Sequence, residues 1–529
     1  RQTTIAPLVK QACEAYQDVI YTILPTSLIQ KYRLLDRRTM IHDLHFPVDP
    51  DAAKAARRTA VFEEFFLFEL RLQMMRVKDH QAAGMSIEYD NDALKAFIKT
   101  LPFELTHAQK KVVNEICADL KRPLHMNRLL QGDVGSGKTI VAAIVMYAAI
   151  TAGYQTALMA PTEILAEQHA RNLAEIFKDV PVNIVLLTGS TKPKARKEAL
   201  KHIASGEVNL VIGTHALIST DVVYHRLGLA VIDEQHRFGV NQRQALRQKG
   251  QHPDILAMSA TPIPRTLQIT AYGEMDVSII DELPAGRKPI TTRWIHSNQV
   301  EAAMDFIREQ LARGQQAYVV TPLIEESEAL DVKNAEAIYD HLSENFAPEY
   351  RVGLLHGRLK NDEKEAVMSA FKADEYDVLV STTVIEVGVD VPNATVMLIF
   401  DADRFGLAQL HQLRGRVGRG AVASTCILVS DPKTQDGIAR MQVMTETNDG
   451  FLLAQKDLEL RGSGDLLGTK QSGVPDFKVG DPVAQIKVLQ IAQQEAITLV
   501  DRPNWQSQPE NRELAGYEQS ELKRHSTLD

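Results

Sequence analysis

The sequence predicts an α/β chain with two parallel-sheet domains in tandem, one helical segment before them and another after. Three observations carry this prediction. Short apolar strands alternate with helix-patterned segments in two successive blocks. A Gly-rich loop joins the first strand of the first block to the helix behind it, and the two flanks lack the alternation altogether. With 529 residues, 44% hydrophobic and 24% charged, the chain has material for about three or four ordinary globular domains.

Residues 1–101 read as a helical connector, Ala-rich and Leu-rich, with an apolar and charged run at 60–76 and no catalytic motif. Its aromatic cluster, Phe62, Phe65, Phe66 and Phe68, reads as packing rather than as a base-stacking platform. Residues 102–284 form the first α/β block. Its strands are expected at 127–131, 156–160, 183–187, 209–213, 229–233 and 255–259, with helices at 163–178 and 194–205. Such alternation implies a parallel sheet covered on both faces, with ligands gathering at the carboxyl ends of the strands. Residues 285–431 repeat the pattern with strands at 316–321, 351–355, 377–381, 396–400 and 425–429, but without a phosphate loop. A nucleotide is therefore expected in the cleft between the two blocks. Residues 432–529 read as a helical hairpin and a Gly-rich stretch at 461–473, followed by a polar tail expected to fray.

Bulk properties narrow the class. The longest apolar run, 140–150, has about half the length of a bilayer crossing and lies where a buried helix is expected, so no membrane span is predicted. Cys13, Cys117 and Cys426 are too dispersed for a disulfide framework or a zinc site, which fits a reducing cytoplasm. The chain begins with Arg and no leader pattern follows, so it is expected to be a fragment of a longer protein. A net charge of −9 speaks against non-specific polyanion binding, although basic clusters at Arg37–Arg38, Arg57–Arg58, 192–197 and 243–249 give local exceptions.

The motifs carry the chemistry. Gly132-Asp-Val-Gly135-Ser-Gly137-Lys138-Thr139 matches the triphosphate cradle G-x-x-x-x-G-K-[ST]. Its glycines turn the backbone, amide N–H groups and a helix N-terminus face the phosphates, Lys138 meets the β/γ-phosphates, and the Thr139 hydroxyl suits Mg²⁺. Asp233-Glu234 ends the apolar strand at 229–233. A carboxylate there is costly to bury without a cation, so Asp233 is read as a magnesium ligand and Glu234 as the base that orients or deprotonates water. Ser259-Ala260-Thr261 ends another strand and is a candidate coupling element. In Gln412-Leu-Arg414-Gly415-Arg416-Val-Gly418-Arg419, the spacing lets Arg416 and Arg419 reach a shared anion such as a γ-phosphate in the facing domain.

Taken together, these motifs resemble superfamily 2 helicases, whose fold is two RecA-like domains. Phe103-Glu-Leu-Thr106-His-Ala-Gln109 looks like the segment that reads adenine, with Gln109 at the base edge. Ala160-Pro161-Thr162-Glu163 and Gly213-Thr214-His215 resemble the first-domain DNA contacts. Leu355-His356-Gly357-Arg358 and the Thr382–Asp390 stretch resemble those of the second domain, with Gly388 and Asp390 close to the nucleotide. The resemblance implies ATP and Mg²⁺ as cofactors and DNA-contact or coupling roles for Pro161, Thr162, Thr214, His236, Ser259, Thr261, His356, Gly357, Arg358 and Thr382.

The closer resemblance is to the RecG-type branch-migrating DNA helicases. It rests on Asp233-Glu-Gln-His236-Arg-Phe-Gly-Val240, on Met258-Ser-Ala-Thr-Pro-Ile-Pro-Arg-Thr-Leu267 and on Asp281-Glu-Leu-Pro-Ala-Gly-Arg287. Ile41-His-Asp-Leu-His45, Ala56-Arg-Arg58 and Glu63-Glu64 look like that family's connector. The segment 457–473 looks like its translocation motif, with Arg461 and Gln471 reaching toward duplex DNA. The family's N-terminal wedge, which splits the junction, is expected upstream of Arg1, which makes strand separation doubtful for this chain and leaves ATP hydrolysis and duplex translocation as its expected activities. The resemblance implies fork reversal and branch migration on forked or branched double-stranded DNA. It also implies a monomer in the bacterial cytoplasm near the nucleoid, with single-strand-binding protein as a partner. The rival readings are a transcription-repair coupling translocase, a non-hydrolysing nucleic-acid scaffold and, ranked lowest, an RNA helicase.

Overall fold

The computed structural model describes residues 2–81, 84–234, 240–259, 264, 275–284, 288–322, 328–382, 391–420, 422–468 and 477–526. The first helices are α1 (Gln2–Tyr16), α2 (Thr26–Tyr32), α3 (Arg37–His45), α4 (Pro50–Gln81), α5 (Asn91–Thr100) and α6 (His107–Leu120). Within the first block come α7 (Lys138–Thr151), α8 (Glu163–Ile176), α9 (Pro193–Ser205) and α10 (Val240–Arg247). The second block holds α11 (Val300–Ala312), α12 (Glu328–Phe346), α13 (Asn361–Lys372) and α14 (Leu407–Arg414). Then follow α15 (Gln435–Glu446), α16 (Gly450–Gly468), α17 (Ile486–Val500) and α18 (Arg512–Ser526). Among the described residues no helix is long and apolar enough to cross a membrane.

Contacts divide the chain into two compact units. One gathers both chain ends, Arg1–Asp79 and Arg461–Asp529; the other holds His80–Pro264 and Met275–Leu460.

In the first unit the aromatic cluster of α4 is indeed packing. Phe65, Phe66 and Leu70 are fully buried with Leu489 and Ala492 of α17, with Trp505 in the turn after it, and with Leu514 of α18. Phe65 meets Phe477 edge-on at 5.1 Å. The Glu64 carboxylate accepts from the backbone N–H groups of Lys478, Val479 and Gly480. Arg71 forms a two-pronged pair with the buried Glu518 of α18, at 2.7 and 3.0 Å. The polar tail expected to fray is therefore a docked helix. Its apolar residues are too sparse to announce a core by themselves, and their partners lie more than 400 residues away in sequence.

In the second unit, strands β1 (Asn127–Gly132), β2 (Gln155–Met159), β3 (Ile184–Leu187), β4 (Leu210–Gly213), β5 (Leu227–Ile232), β6 (Asp254–Ser259) and β7 (Asp276–Ile280) form one sheet in the order β3-β4-β2-β5-β6-β1-β7. Strands β8 (Thr291–Ile295), β9 (Gln316–Val320), β10 (Val352–Leu355), β11 (Val378–Ser381), β12 (Ala394–Phe400) and β13 (Thr425–Val429) form a second, β10-β11-β9-β12-β13-β8. Every strand pair in both is parallel. The predicted strands are all present, and β7 and β8 are additions. Both are edge strands whose residues are largely half-buried or exposed, so they lack the apolar run that marks a strand covered on both faces. Helix α7, apolar nearly all round, is buried behind the first sheet, as its composition requires.

Candidate nucleotide site between two sheets

Strand β1 lies between β6 and β7 and delivers the Gly-rich loop to the carboxyl edge of its sheet. Gly135 and Gly137 have φ of 77° and 89°, the left-handed region. At Gly137 a Cβ would also fall 2.2 Å from Gln109 Nε2, so conformation and space both demand glycine. Gln109 is committed at both ends. Its Oε1 accepts from Thr106 N at 2.9 Å in a capping box, and its Nε2 donates to Ser136 O at 2.8 Å. The glutamine expected at the adenine edge is thus tied to the phosphate loop, with a second lone pair on Oε1 and a second hydrogen on Nε2 beyond these two bonds. Phe103, 46% exposed, remains open to stack.

Lys138 Nζ donates to Gly132 O at 2.7 Å and Asp133 O at 2.9 Å, so its ammonium is folded onto the loop it is expected to serve. Burial lowers its pKa; Asp233, Glu234 and Asp133 oppose that, and Arg419 reinforces it. Thr139 is half-buried in the first turn of α7.

Asp233 follows β5 and is buried. Its Oδ1 accepts from Glu234 N at 2.9 Å, and its Oδ2 lies 2.7 Å from His169 Nε2. Desolvation pushes this carboxyl up, but the hydrogen bond and charge of His169, with Lys138 and the Glu234 amide, hold it below the usual carboxylate range. Glu234 has φ of 49°, an uncommon left-handed conformation for a non-glycine residue, and such strain is concentrated at functional sites.

Across the cleft, α14 brings the second sheet to the loop. His411 Nε2 lies 2.7 Å from Asp133 Oδ1, and Arg414 Nη2 lies 3.0 Å from His411 Nδ1. A guanidinium can only donate, so Nδ1 accepts, Nε2 carries the hydrogen, and His411 donates to Asp133. His411 draws the Asp133 carboxyl below its usual range against desolvation. The other side of Arg414, a fully buried residue, donates to Met444 O and Thr447 O at 2.9 Å and to Thr292 Oγ1 at 3.1 Å. Asp457 of α16 accepts from Leu407 N at 3.0 Å, so both ends of α14 are tied to the helical hairpin α15–α16. Gly415 packs so closely that a Cβ there would lie 3.4 Å from Val134 Cβ. Arg416 and Arg419 are half-buried, and Arg419 Nε donates to Gly415 O at 3.1 Å.

The expected DNA contacts line the carboxyl edges of both sheets. Pro161 and Thr162 follow β2, and Thr162 caps α8 through Leu165 N. Thr214 follows β4, Ser259 ends β6, His356 to Arg358 follow β10, and Thr382 follows β11. Gly357 and Arg358 are exposed. Thr214, Ser259 and Thr382 are buried at these strand ends. His236, Thr261, Gly388, Asp390 and Gln471 lie outside the described residues, as does the side chain of Arg461.

Sequence reasoning missed His169, His411 and Arg414 as site residues. The signal for His169 was present: it occupies the buried stripe Ala166, His169, Leu173 of α8, where a lone polar side chain needs a partner. Arg414 and His411 had no such signal, since only the fold shows that α14 is buried against α15 and the phosphate loop.

Comparison with known proteins agrees with this geometry. The DEAD/DEAH box helicase family matches residues 106–270 and the helicase conserved C-terminal domain matches 298–421. A third family, described as ATP-dependent DNA helicase RecG, domain 3, C-terminal, matches 447–527. The chain is 54% identical over 503 residues to the ATP-dependent DNA helicase RecG of Bacillus subtilis (strain 168), covering 95% of this chain and 74% of that protein. It is 52% identical over 516 residues to the protein of that name from Streptococcus pneumoniae serotype 4, covering 97% and 77%. The solved structure of RecG bound to a three-way DNA junction matches with a TM-score of 0.75 at 41% identity, covering 93% of this chain and 64% of that one. The chain thus spans just under two thirds of that solved protein.

Proposed function

The chain belongs to the RecG family of ATP-dependent DNA helicases, and from that premise we propose that it is an ATP-driven double-stranded DNA translocase that remodels stalled replication forks and Holliday-type junctions. Fork reversal and branch migration are the expected outcomes. The observation that carries the motor reading is the His411–Asp133 bond at 2.7 Å, which joins the second sheet to the phosphate loop of the first. An ATP held on that loop lies at the junction, where its presence or loss is felt by both domains.

Residues 102–284 and 285–431 are taken as the two motor domains, 1–101 as the connector and 432–529 as hairpin, translocation motif and tail. In the motor, Lys138 leaves the carbonyls of Gly132 and Asp133 for the β/γ-phosphates. The donor set fits magnesium: Asp233 is a buried carboxylate and Thr139 an adjacent hydroxyl, both hard oxygen ligands. When bound there with ATP, the ion supplies charge neutralisation on the phosphates. Glu234 orients the attacking water and takes its proton as the water oxygen bonds to the γ-phosphorus and the bond to ADP breaks. Arg416 and Arg419 balance charge on the γ-phosphoryl oxygens from the second domain. Loss of the γ-phosphate removes their shared anion, so the cleft opens and the grip on DNA changes. The hairpin is placed to follow, because α14 is bonded to it at both ends.

On the same family reading, we take branched or forked duplex as the substrate, single-strand-binding protein as a partner, and a monomer in the nucleoid-bearing cytoplasm as the working state. The test is steady-state ATPase without DNA and with equal concentrations of linear duplex, forked duplex, four-way junction and single-stranded RNA. Stimulation by DNA, strongest with branched forms, is expected. Activation by RNA alone would overturn the proposal.

A further inference from the structure

We propose that His169 is a positioning residue of the ATPase: its Nε2–H holds one oxygen of the Asp233 carboxylate and so fixes how that carboxylate meets a magnesium-bound nucleotide. This rests on the ATPase reading above and names a residue that reading does not require.

A carboxylate at a strand end is free to rotate about its terminal bond unless donors fix it. Asp233 has one donor on each oxygen, the Glu234 amide at 2.9 Å on Oδ1 and His169 Nε2 at 2.7 Å on Oδ2. The amide comes from the next residue, whose backbone is itself in a left-handed turn. Among the described residues, His169 is the side chain that ties the carboxylate to a separate rigid element. That element is α8, capped by Thr162 and anchored by its buried residues Ala166 and Leu173 on either side of the ring. The imidazole is 8% exposed, and its Nδ1 has no hydrogen-bond partner among the described residues. The ring is therefore oriented by packing and by the single bond to Asp233. Side chains that orient a metal-binding carboxylate in this way typically account for about 10- to 100-fold in metal affinity.

The bland alternative is a core histidine that satisfies a buried carboxylate for stability alone. His169→Gln keeps a terminal N–H near the Nε2 position, whereas His169→Leu keeps volume and removes the donor. Two readouts separate the roles. One is the Mg²⁺ concentration giving half-maximal DNA-stimulated ATPase. The other is binding of a fluorescent ADP during Mg²⁺ titration and in EDTA, which needs no turnover and stands even if the DNA-stimulated activity fails. His169→Leu is expected to raise both Mg²⁺ midpoints about tenfold with ADP affinity in EDTA unchanged, and His169→Gln to restore them to within about threefold. If the leucine variant loses its folding transition, His169→Asn, whose amide stands at the Nδ1 position, is expected to give the same rise. Unchanged midpoints in the folded variants, or equal shifts in leucine and glutamine, would overturn the proposal.

Discussion

The two sheets of the larger unit share one topology and differ in chemistry. With β8 matched to β1, the order β10-β11-β9-β12-β13-β8 repeats β3-β4-β2-β5-β6-β1, and only β7 is extra. The turn after the matched strand is where they part. After β1 it is a loop with two left-handed glycines leading into an apolar helix. After β8 it is His296-Ser297-Asn298-Gln299, closed by a capping box and pinned by Asp431 through His296 and Ser297. One turn is open to an anion, while the other spends its polar groups on itself. A shared fold thus supports one nucleotide cradle, and function follows the loops.

Three experiments probe this asymmetry, and a fourth tests the other unit. The largest effects are expected where the two sheets converge: Lys138→Ala or Glu234→Gln on the first, and Arg416→Ala or Arg419→Ala on the second, should each lower DNA-stimulated turnover by about 10³-fold or more. Near-wild-type ATPase in the arginine variants would leave the second sheet without a catalytic role. Gly137→Ala attacks the feature β8 lacks; strain at φ 89° and the clash with Gln109 should displace the loop and cost about 100-fold in kcat/KM for ATP. His411→Ala removes the bond between the sheets and should lower kcat about tenfold with little change in ADP binding. An equal loss in binding would show that His411 shapes the cradle rather than linking the domains.

The smallest effect on catalysis is expected from the other unit. Glu69 is fully buried in α4, and burial pushes its carboxyl from 4.5 up to about 8. The folded form therefore keeps a proton that the unfolded form releases above about 4.5. The stability it contributes is complete below that pH and is lost as pH rises through about 8. Glu69→Gln should flatten this dependence and raise the pH 8 melting temperature by several degrees, leaving ATPase unchanged. Trp505 fluorescence in a Trp294→Phe background reports it, since these are the chain's two tryptophans and Trp505 lies in the same core.

Much of this was legible in one dimension. Short apolar runs marked most interior strands, because a strand covered on both faces has no exposed side to encode. The phosphate loop was legible because its glycines answer to local backbone geometry. The edge strands β7 and β8 and the docked tail helix α18 were not, since their burial depends on neighbours distant in sequence. Among site residues, Lys138 lies within electrostatic reach of Asp233 and Glu234, whereas the burial of Thr214 and Thr382 and the bonds of Gln109 to Thr106 and Ser136 came only from packing.

Local physical chemistry, written residue by residue, determined the two α/β blocks, the nucleotide loop and the acidic strand end, and the motif pattern carried the family resemblance. The tertiary structure decided that the chain's two ends form one core, that His411 bridges Asp133 and Arg414, and that His169 holds Asp233. These are meetings of side chains from separate elements. Hydrophobic periodicity says which face of a helix is buried, but only the packed chain says what that face meets.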